Sequence, residues 1–337
     1  MRIAVMGAGA MGSAFGGYLA MAGHDVVLVD VRQECVDAIG VQGGLMLELP
    51  GGEQRLVVLR AATGTDGLGH LDLVIVLTKA YATANAARML AGAVSDDTWV
   101  VTLQNGIGND RVLAAVLGAT RVVAGTTTVG AEQLRPGATT VAPSTASGDT
   151  VTYLGMPAGF DADGGPAAEA GSVHGAGVAA VAEVLSAAGI PAVVLPSADE
   201  AVWTKVALAA PMASISAVLG WTVSAVYEND QTRLLLRTLF DEIMAVAAAA
   251  SISLDPGTVW GYCEHTWQTV GPHMTSMAVD IREGRRTEID ALNLEVARVG
   301  DAVGVAAPAN RAVGLLVAAR EPRLPATDAA ATLTNDR

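Results

Sequence analysis

The chain has 337 residues, of which 51% are hydrophobic and 16% are charged, and its formal net charge is −14. A chain of this length and apolar content is expected to fold into roughly two domains with large cores, which excludes a disordered protein. The acidic excess argues against a nucleic-acid partner and against a polybasic membrane anchor.

The first 30 residues have the pattern of a strand, a helix and a second strand. A short apolar run over residues 2–6 predicts a buried parallel strand, and residues 11–22 carry apolar side chains at helical spacing. Residues 26–30 predict the next strand. Such a unit is typical of an α/β domain with a doubly wound parallel sheet.

Strand and helix signals continue to alternate up to residue 196. Central strands are predicted at 73–77 and 99–103, and weaker strand signals lie at 122–124, 139–142, 150–154 and 192–195. Helices are predicted at 82–90 and 110–117. Residues 156–175 are rich in Gly, Ala, Asp and Pro without periodicity, which predicts a surface loop within this first domain, 1–196.

From about residue 198 the pattern becomes helical, with predicted helices at 198–219, 231–251, 255–284 and 287–304. We therefore expect an all-α second domain over 197–320 and a disordered polar tail over 321–337. Charged, Pro or Gly residues interrupt every long apolar stretch, so no membrane span is expected. Two distant cysteines, Cys35 and Cys263, form neither a disulfide nor a metal-binding pattern, which favours a cytoplasmic protein without bound metal.

A glycine-rich turn, GAGAMG, follows the first predicted strand and opens the first predicted helix. In this context the motif is the fingerprint of a Rossmann-type dinucleotide-binding domain. The three glycines permit a tight turn, close approach of a pyrophosphate and close packing of helix on strand. The predicted cofactor-binding residues of this turn are Gly7, Gly9, Ala10, Met11 and Gly12.

The end of the second predicted strand bears on the choice between NAD and NADP. Asp30 stands where an acidic residue accepts hydrogen bonds from the ribose hydroxyls and repels a 2′-phosphate, which favours NAD(H). Arg32 lies two residues further on and would receive a 2′-phosphate if its loop turned inward. A solvated Arg32 is the favoured alternative, and NAD is preferred only mildly.

Polar residues follow two predicted central strands. Lys79 comes after the strand at 73–77, and Asn105 comes after the strand at 99–103. Ligands of doubly wound sheets bind beyond the carboxyl ends of the strands, so both side chains are candidates for cofactor or substrate contacts. The alternatives are a lysine at a strand end in solvent and an Asn-Gly turn.

The helical half contains one unexpected cation, Lys205, at the start of a very apolar helix. An unpaired buried charge is costly, so this lysine either projects into a cleft as a general acid or lies at a helix end in solvent. Residues 276–290 alternate acidic and basic side chains. From the pattern alone, this segment is most simply a solvated face.

Taken together, these motifs resemble the ketopantoate reductase (2-dehydropantoate 2-reductase) family over nearly the whole chain, up to about residue 320. The resemblance rests on GAGAMG at 7–12, TKAY at 78–81, LQNG at 103–106, GTTT at 125–128, WTK at 203–205 and SMAVDIREGRRTEID at 276–290. It implies a Rossmann domain, a helical domain and NAD(P)H-dependent reduction of a 2-oxo acid to a D-2-hydroxy acid.

The resemblance also implies roles for single residues. Lys205 matches the general acid that protonates the new alkoxide. Glu288 matches the second catalytic residue, a glutamate that shapes and hydrogen-bonds the site and also contacts the cofactor. Ser276 matches the serine that contacts the substrate carboxylate. Lys79 and Asn105 match residues that line the junction of cofactor and substrate. Independently of the resemblance, the apolar helices of the C-terminal half favour an interface between two copies, so a homodimer is expected.

The chain departs from the family at two positions that follow Lys205. The family typically has asparagines four and eight residues after this lysine, whereas this chain has Ala209 and Ala213. Loss of two buried hydrogen-bond partners predicts a substrate more apolar than ketopantoate. The alternatives are a true ketopantoate reductase of pantothenate biosynthesis, a non-catalytic dinucleotide-binding sensor, and an enzyme that reduces an imine or another ketone.

Overall fold

The computed structural model describes residues 1–142, 150–157 and 173–322. Most of the predicted surface loop at 156–175, and the predicted tail from residue 323 onward, lie outside these ranges.

Strands within the described residues form two sheets. The larger sheet has eight strands in the order β12-β11-β8-β7-β6-β1-β2-β5, and the smaller has the order β4-β3-β10-β9. The strands are β1 (Arg2–Met6), β2 (Asp25–Val29), β3 (Leu45–Glu48), β4 (Gln54–Val57), β5 (Arg60–Ala62), β6 (Leu73–Val76), β7 (Trp99–Thr102), β8 (Val122–Thr127), β9 (Ala131–Arg135), β10 (Ala138–Val141), β11 (Thr152–Met156) and β12 (Ala192–Ser197).

The larger sheet confirms the predicted doubly wound α/β fold. Its six strands from β5 to β8 are all parallel and follow the usual dinucleotide-binding order, in which the strand order reverses between β1 and β6. The sheet is not parallel throughout, because β11 pairs antiparallel to β8. The apolar runs predict strands at these positions but carry no information on strand direction, so this difference was not foreseen.

Five helices accompany the larger sheet: α1 (Ala10–Met21), α2 (Gln33–Gln42), α3 (Thr83–Leu90), α4 (Asn109–Leu117) and α5 (Val173–Ala187). Two apolar clusters bury the two faces of the strands. Ile3 and Val5 belong to the cluster that contains Phe15 of α1, whereas Ala4 and Met6 belong to the cluster that contains Leu90 of α3. Strand β1 is therefore buried on both faces, as its continuous apolar run predicts.

The smaller sheet is an addition that the sequence analysis did not predict, apart from the strand at 139–142. Its strands β4 and β9 are largely exposed and polar, so they lack the apolar runs that identify the central strands. The sheet packs on α1 through a small cluster that contains Ala14, Leu47 and Val141. A Cβ atom on Gly17 of α1 would lie 2.9 Å from the end of the Leu47 side chain, which would have to shift to make room for it.

The second half is helical, as expected. Its helices are α6 (Asp199–Leu219), α7 (Val223–Glu228), α8 (Asp230–Ala249), α9 (Pro256–Val270), α10 (Ser276–Arg282), α11 (Asn293–Val303) and α12 (Pro308–Ala318). The predicted helix at 255–284 is two helices, because the chain turns at Gly271 with φ +72° and Thr275 caps the start of α10. The start of the predicted helix at 287–304 is a short 3-10 turn, Ile289–Ala291.

The chain divides into two compact units. One consists of Met1–Val206 with Ser251–Tyr262, and the other of Ala207–Ala250 with the described part of Cys263–Arg337. The division into these units falls within α6, after Val206, about ten residues beyond the boundary that the sequence predicts. In the helical unit, Glu321 accepts a hydrogen bond from the Thr287 amide at 2.7 Å, so the residue at the start of the predicted tail packs with the helices.

Helix α6 is also the one helix of the described residues whose length and composition would allow it to cross a membrane. Its most apolar window is 56% buried within the protein, which is typical of a core helix. Trp267 of α9 donates its indole N–H to the Leu208 carbonyl at 3.2 Å and fastens α9 to α6.

Candidate active site

The GAGAMG turn has the backbone geometry that its glycines predict. Gly7 has φ +101°, and its amide donates to the Val29 carbonyl at 2.7 Å. A Cβ atom on Gly12 would lie 1.8 Å from the Gly7 carbonyl oxygen. Any residue with a side chain at position 12 would therefore prevent α1 from packing this closely against the end of β1. A Cβ atom on Gly9 would meet no described atom within 4 Å, so this side of the turn is open.

Asp30 is buried just after β2, and its carboxylate accepts hydrogen bonds from the GAGAMG turn and from Arg32. Its Oδ2 accepts from the Ala8 amide at 2.8 Å, and its two oxygens accept from the Arg32 guanidinium Nε and Nη2, each at 3.0 Å. The Arg32 amide donates to Oδ1 at 2.9 Å. Burial opposes ionisation, but hydrogen bonds from Arg32 and Ala8 outweigh it and keep the pKa of Asp30 below its usual value.

The two candidates for cofactor selectivity therefore form one ion pair. Their positions in the sequence predict alternative roles for Asp30 and Arg32, whereas the structure joins the two side chains in a two-point contact. Two carboxylate oxygens offer about four acceptor sites, and four protein donors occupy them. The Arg32 side chain is 45% exposed, so its outer edge faces solvent.

The Ala8 carbonyl is also held. Gln133 of β9 donates its side-chain amide to this oxygen at 2.9 Å, and Ser13 of α1 donates its hydroxyl at 3.3 Å. Gln133 was not among the sequence candidates. It lies on a strand that carries no apolar signal, and the contact joins residues 125 positions apart, so local sequence patterns hold no information on it.

Lys79 and Asn105 lie at the carboxyl edge of the larger sheet, as predicted. Lys79 follows β6 and is half-buried, and Asn105 follows β7 and is exposed. Since β1, β6 and β7 are adjacent and parallel, these residues share one sheet edge with the GAGAMG turn. This is the edge where doubly wound sheets bind their ligands.

Gln104 connects the two strand ends. Its side-chain amide donates to the Thr78 carbonyl at 2.9 Å and to the Thr83 hydroxyl at 2.8 Å. Its carbonyl accepts from the Thr102 hydroxyl at 3.0 Å. Gln104 therefore fixes the loop that carries Lys79 against the strand that precedes Asn105, a positioning role that its place in the LQNG motif did not reveal.

Lys205 lies in the second turn of α6 and is half-buried. Desolvation by the surrounding protein lowers the pKa of its ammonium group below the ordinary lysine value. Ala209 and Ala213 follow at steps of four residues, so all three positions lie along one side of α6. Ala209 is half-buried and Ala213 is buried.

The segment 276–290 is not a simple solvated face. Asp280 is buried and pairs with Arg285, whose guanidinium Nη2 lies 2.9 Å from Oδ1. The Arg285 amide also donates to the Asp280 carbonyl at 2.7 Å, which closes the turn after α10. This turn leads from Ser276, exposed at the start of α10, to Glu288, which is buried before the 3-10 turn.

A further acidic residue, Asp110, lies in the first turn of α4, shortly after the LQNG motif. Burial raises its pKa, and the nearby carboxylate of Asp199 raises it further. Sequence reasoning did not single out Asp110, because an acidic residue in the first turn of a helix is an ordinary helix-start signal. Two acidic residues alone do not define a site, and we assign no role to this pair.

The residues present fit a dinucleotide cofactor. The GAGAMG turn leaves an open side at Gly9, and α1 directs its amides toward that side, where a pyrophosphate would accept hydrogen bonds. Across the described ranges, no group of three or more His, Cys, Asp and Glu side chains is arranged to hold a metal ion.

The fold and this site define a Rossmann-type dinucleotide-binding protein with an additional helical unit. Comparison with known families makes the assignment specific. Residues 3–156 match the model of the ketopantoate reductase PanE/ApbA family, and residues 197–321 match the model of its C-terminal domain. The chain belongs to the ketopantoate reductase family, and the predicted resemblance is confirmed.

Relatives match over nearly the full length. A curated 2-dehydropantoate 2-reductase from Halobacterium salinarum is 32% identical over 94% of this chain and 98% of its own. A solved PanE/ApbA family ketopantoate reductase from Ralstonia eutropha is 29% identical with a TM-score of 0.81, covering 95% of this chain and 98% of its own. A ternary structure of D-mandelate dehydrogenase with NADH and anilino(oxo)acetate is 27% identical with a TM-score of 0.84 at the same coverage.

Proposed function

We propose that this protein uses NAD(P)H to reduce a 2-oxo acid to a D-2-hydroxy acid. The observation that carries the proposal is the match of residues 3–156 and 197–321 to the two models of one reductase family, together with a half-buried lysine of lowered pKa at the family's general-acid position. The chain contains only two lysines, Lys79 and Lys205, and uses arginine for its other eighteen basic residues. Lysine is the basic side chain whose pKa shifts readily on burial, so its use here fits a proton donor.

A dinucleotide held at the GAGAMG turn would supply the hydride that reduces the C2 carbonyl of the substrate. As negative charge develops on the carbonyl oxygen, the Lys205 ammonium stabilises it and donates a proton from Nζ, which yields the hydroxyl group. Solvent then returns a proton to the neutral amine. A lowered pKa makes this donation easier, because the proton is held less tightly than on a solvated lysine.

We assign the remaining candidates to binding. Ser276, exposed at the start of α10, donates its hydroxyl to the substrate carboxylate, and buried Glu288 contacts both substrate and cofactor. Asn105 and Lys79 line the junction of cofactor and substrate at the sheet edge. Buried Asp280 and its partner Arg285 support the turn that links Ser276 to Glu288.

We propose that the preferred 2-oxo acid is more apolar than ketopantoate. Ala209 and Ala213 offer methyl groups where the family typically offers amides. A substrate hydroxyl opposite them would lose its hydrogen-bond partners, whereas an alkyl or aryl group would not. The chain is also similar to a D-mandelate dehydrogenase solved with anilino(oxo)acetate, an oxo acid with an aromatic ring. This similarity supports a preference for a substrate more apolar than ketopantoate.

A substrate panel tests this function. NADH and NADPH oxidation would be followed with ketopantoate, 2-oxoisovalerate, 2-oxoisocaproate and phenylglyoxylate, with product configuration determined by chiral chromatography. Turnover with an apolar 2-oxo acid to a D-product supports the proposal. Far better turnover of ketopantoate would favour a true ketopantoate reductase. Dinucleotide binding without turnover of any member would favour a non-catalytic sensor.

Restoring the two amides is expected to shift specificity toward ketopantoate. In the Ala209→Asn/Ala213→Asn variant, each regained hydrogen bond is expected to raise the ratio of kcat/KM for ketopantoate over 2-oxoisocaproate by about fivefold or more. The measurement is initial rates for both substrates in wild type and variant. The matched control is Ala248→Asn, near the end of α8, which is expected to leave the ratio unchanged. An unaltered ratio in the double variant would contradict the assigned role of these alanines.

We also propose a preference for NADH over NADPH. The Asp30 carboxylate stays ionised at neutral pH and would repel a 2′-phosphate, while Arg32 is already neutralised by that carboxylate. Binding of the ribose hydroxyls requires Arg32 to yield part of its contact with Asp30. The preference is therefore expected to be moderate.

Removing the charge at position 30 is expected to reverse this preference. Asp30→Asn keeps an acceptor for the Ala8 amide but frees Arg32 to pair with a 2′-phosphate, so the kcat/KM ratio of NADPH to NADH is expected to rise about tenfold or more. Adding Arg32→Ala is expected to remove most of that gain. If NADPH use is already superior in wild type, or does not improve in Asp30→Asn, this account of the pair is wrong.

A further inference from the structure

Ala8 of the GAGAMG turn is held through both its backbone amide and its backbone carbonyl. It is buried, its amide donates to Asp30 at 2.8 Å, and its carbonyl accepts from Gln133 at 2.9 Å and from Ser13 at 3.3 Å. Asp30 and Ser13 lie in the strand–helix–strand unit that forms the nucleotide site. Gln133 lies in the smaller sheet, which is not part of that unit.

The direction of the Ala8 carbonyl determines the direction of a neighbouring amide. The Ala8 carbonyl and the Gly9 N–H belong to one planar trans peptide, so they point in opposite directions. Gly9 has no Cβ and tolerates many backbone angles, so its own conformation restrains this peptide weakly. Hydrogen bonds to the Ala8 oxygen therefore hold the Gly9 N–H pointing away from Gln133 and Ser13.

Of the two donors to this oxygen, Gln133 provides the independent restraint. Ser13 lies on α1 and moves with the turn itself, and its contact is the longer of the two. Gln133 is half-buried on β9, opposite Thr139 of β10, and the smaller sheet is packed on α1. Gln133 is anchored outside the turn, so its hydrogen bond opposes rotation of the Ala8–Gly9 peptide. The Ser13 hydroxyl opposes this rotation less, because α1 moves together with the turn.

We propose that Gln133 is a positioning residue that aims the Gly9 amide at the cofactor pyrophosphate. The inference rests on the proposed function, because it requires a dinucleotide at this turn. The smaller sheet then has a functional role, because its strand β9 holds the phosphate-binding backbone in place from outside the strand–helix–strand unit. Preorganisation of a donor strengthens binding without a new contact to the ligand.

Gln133→Met tests this role, because methionine has nearly the same shape and no N–H donor. The dissociation constants of ADP-ribose and NADH are expected to rise about three- to tenfold, the loss of one aligned hydrogen bond. Binding of adenosine, which has no phosphate, is expected to change by less than about twofold. Binding would be measured by calorimetry for ADP-ribose and by NMR titration for adenosine, and kcat at saturating NADH is expected to stay near the wild-type value.

Two further variants complete the test. Gln133→Glu keeps the shape of glutamine but replaces the donor by a carboxylate that repels the Ala8 oxygen, so it is expected to weaken ADP-ribose binding at least as much as Gln133→Met. Gln54→Met removes a comparable side-chain bond from β4 of the same sheet, the 2.9 Å contact to Glu48, and is expected to leave binding unchanged. Thermal unfolding would verify that each variant is folded.

The outcomes separate this inference from the proposed function. Unchanged ADP-ribose binding by Gln133→Met, or an equal loss for adenosine and ADP-ribose, would overturn the positioning role alone. Absence of ADP-ribose binding by the wild-type protein would overturn the proposed function and this inference with it.

Discussion

Lys205→Ala is expected to lower kcat for 2-oxo acid reduction by about 10²- to 10⁴-fold, the usual contribution of a positioned general acid. The physical reason is the loss of both the proton donor and the cation that stabilises the developing alkoxide. The affinity for NADH is expected to change little, since binding of the nucleotide is assigned to other residues. Single-turnover rates and NADH titrations, measured on the same preparation, separate the two effects.

Two companion measurements sharpen this prediction. Small primary amines such as methylamine are expected to restore part of the activity of Lys205→Ala but to leave the wild type unaffected. In the wild type, kcat/KM for reduction is expected to fall as pH rises through the pKa of Lys205, and burial moves this fall below the range of an ordinary lysine. Near-normal turnover of Lys205→Ala, without rescue by amines, would refute the assignment.

The second large effect is expected at Gly12. A Cβ atom there would lie 1.8 Å from the Gly7 carbonyl oxygen, and the obstacle is backbone that cannot swing aside. Gly12→Ala must therefore push α1 away from β1, and Gly12→Val must push it further. We expect Gly12→Val to abolish measurable NADH binding and to lower the unfolding temperature by several degrees, about 4 °C or more, as judged by calorimetry.

Two other glycines serve as controls for Gly12. A Cβ atom on Gly40 of α2 would meet no described atom within 4 Å, and the backbone there is helical, so Gly40→Ala is expected to be neutral or slightly stabilising. Gly9→Ala also meets open space, but on the side assigned to the pyrophosphate. It is expected to keep the unfolding temperature and to weaken NADH binding. Equal behaviour of Gly9→Ala and Gly12→Ala would show that the close approach of α1 is not what Gly12 provides.

Features that depend on neighbouring residues were predictable from the sequence. The GAGAMG turn between a strand and a helix was foreseen because tight turns and close helix approach require glycine at fixed spacing. The buried strands β6 and β7 were foreseen because strands covered on both faces are continuous apolar runs. Their carboxyl ends then placed Lys79 and Asn105 at the correct edge of the sheet.

Features that depend on pairing between distant or polar residues were not predictable. Gln133 contacts Ala8 across 125 positions from a strand without an apolar face. Asp30 and Arg32 were expected to act as alternatives, since the sequence carries no indication that the two side chains bond to each other. Likewise, Asp280 and Arg285 looked like members of a solvated face, although one of them is buried.

The Gln104 side chain, which bonds to both Thr78 and Thr83, has a thermodynamic consequence. Ordering of the loop that carries Lys79 is coupled to formation of the sheet, so the conformational entropy of that loop is lost when the chain folds. It is not lost again each time a ligand binds and leaves. Each catalytic cycle therefore starts from a loop that is already ordered. The entropy cost of ordering it is part of the free energy of folding and does not reduce the affinity for the ligand.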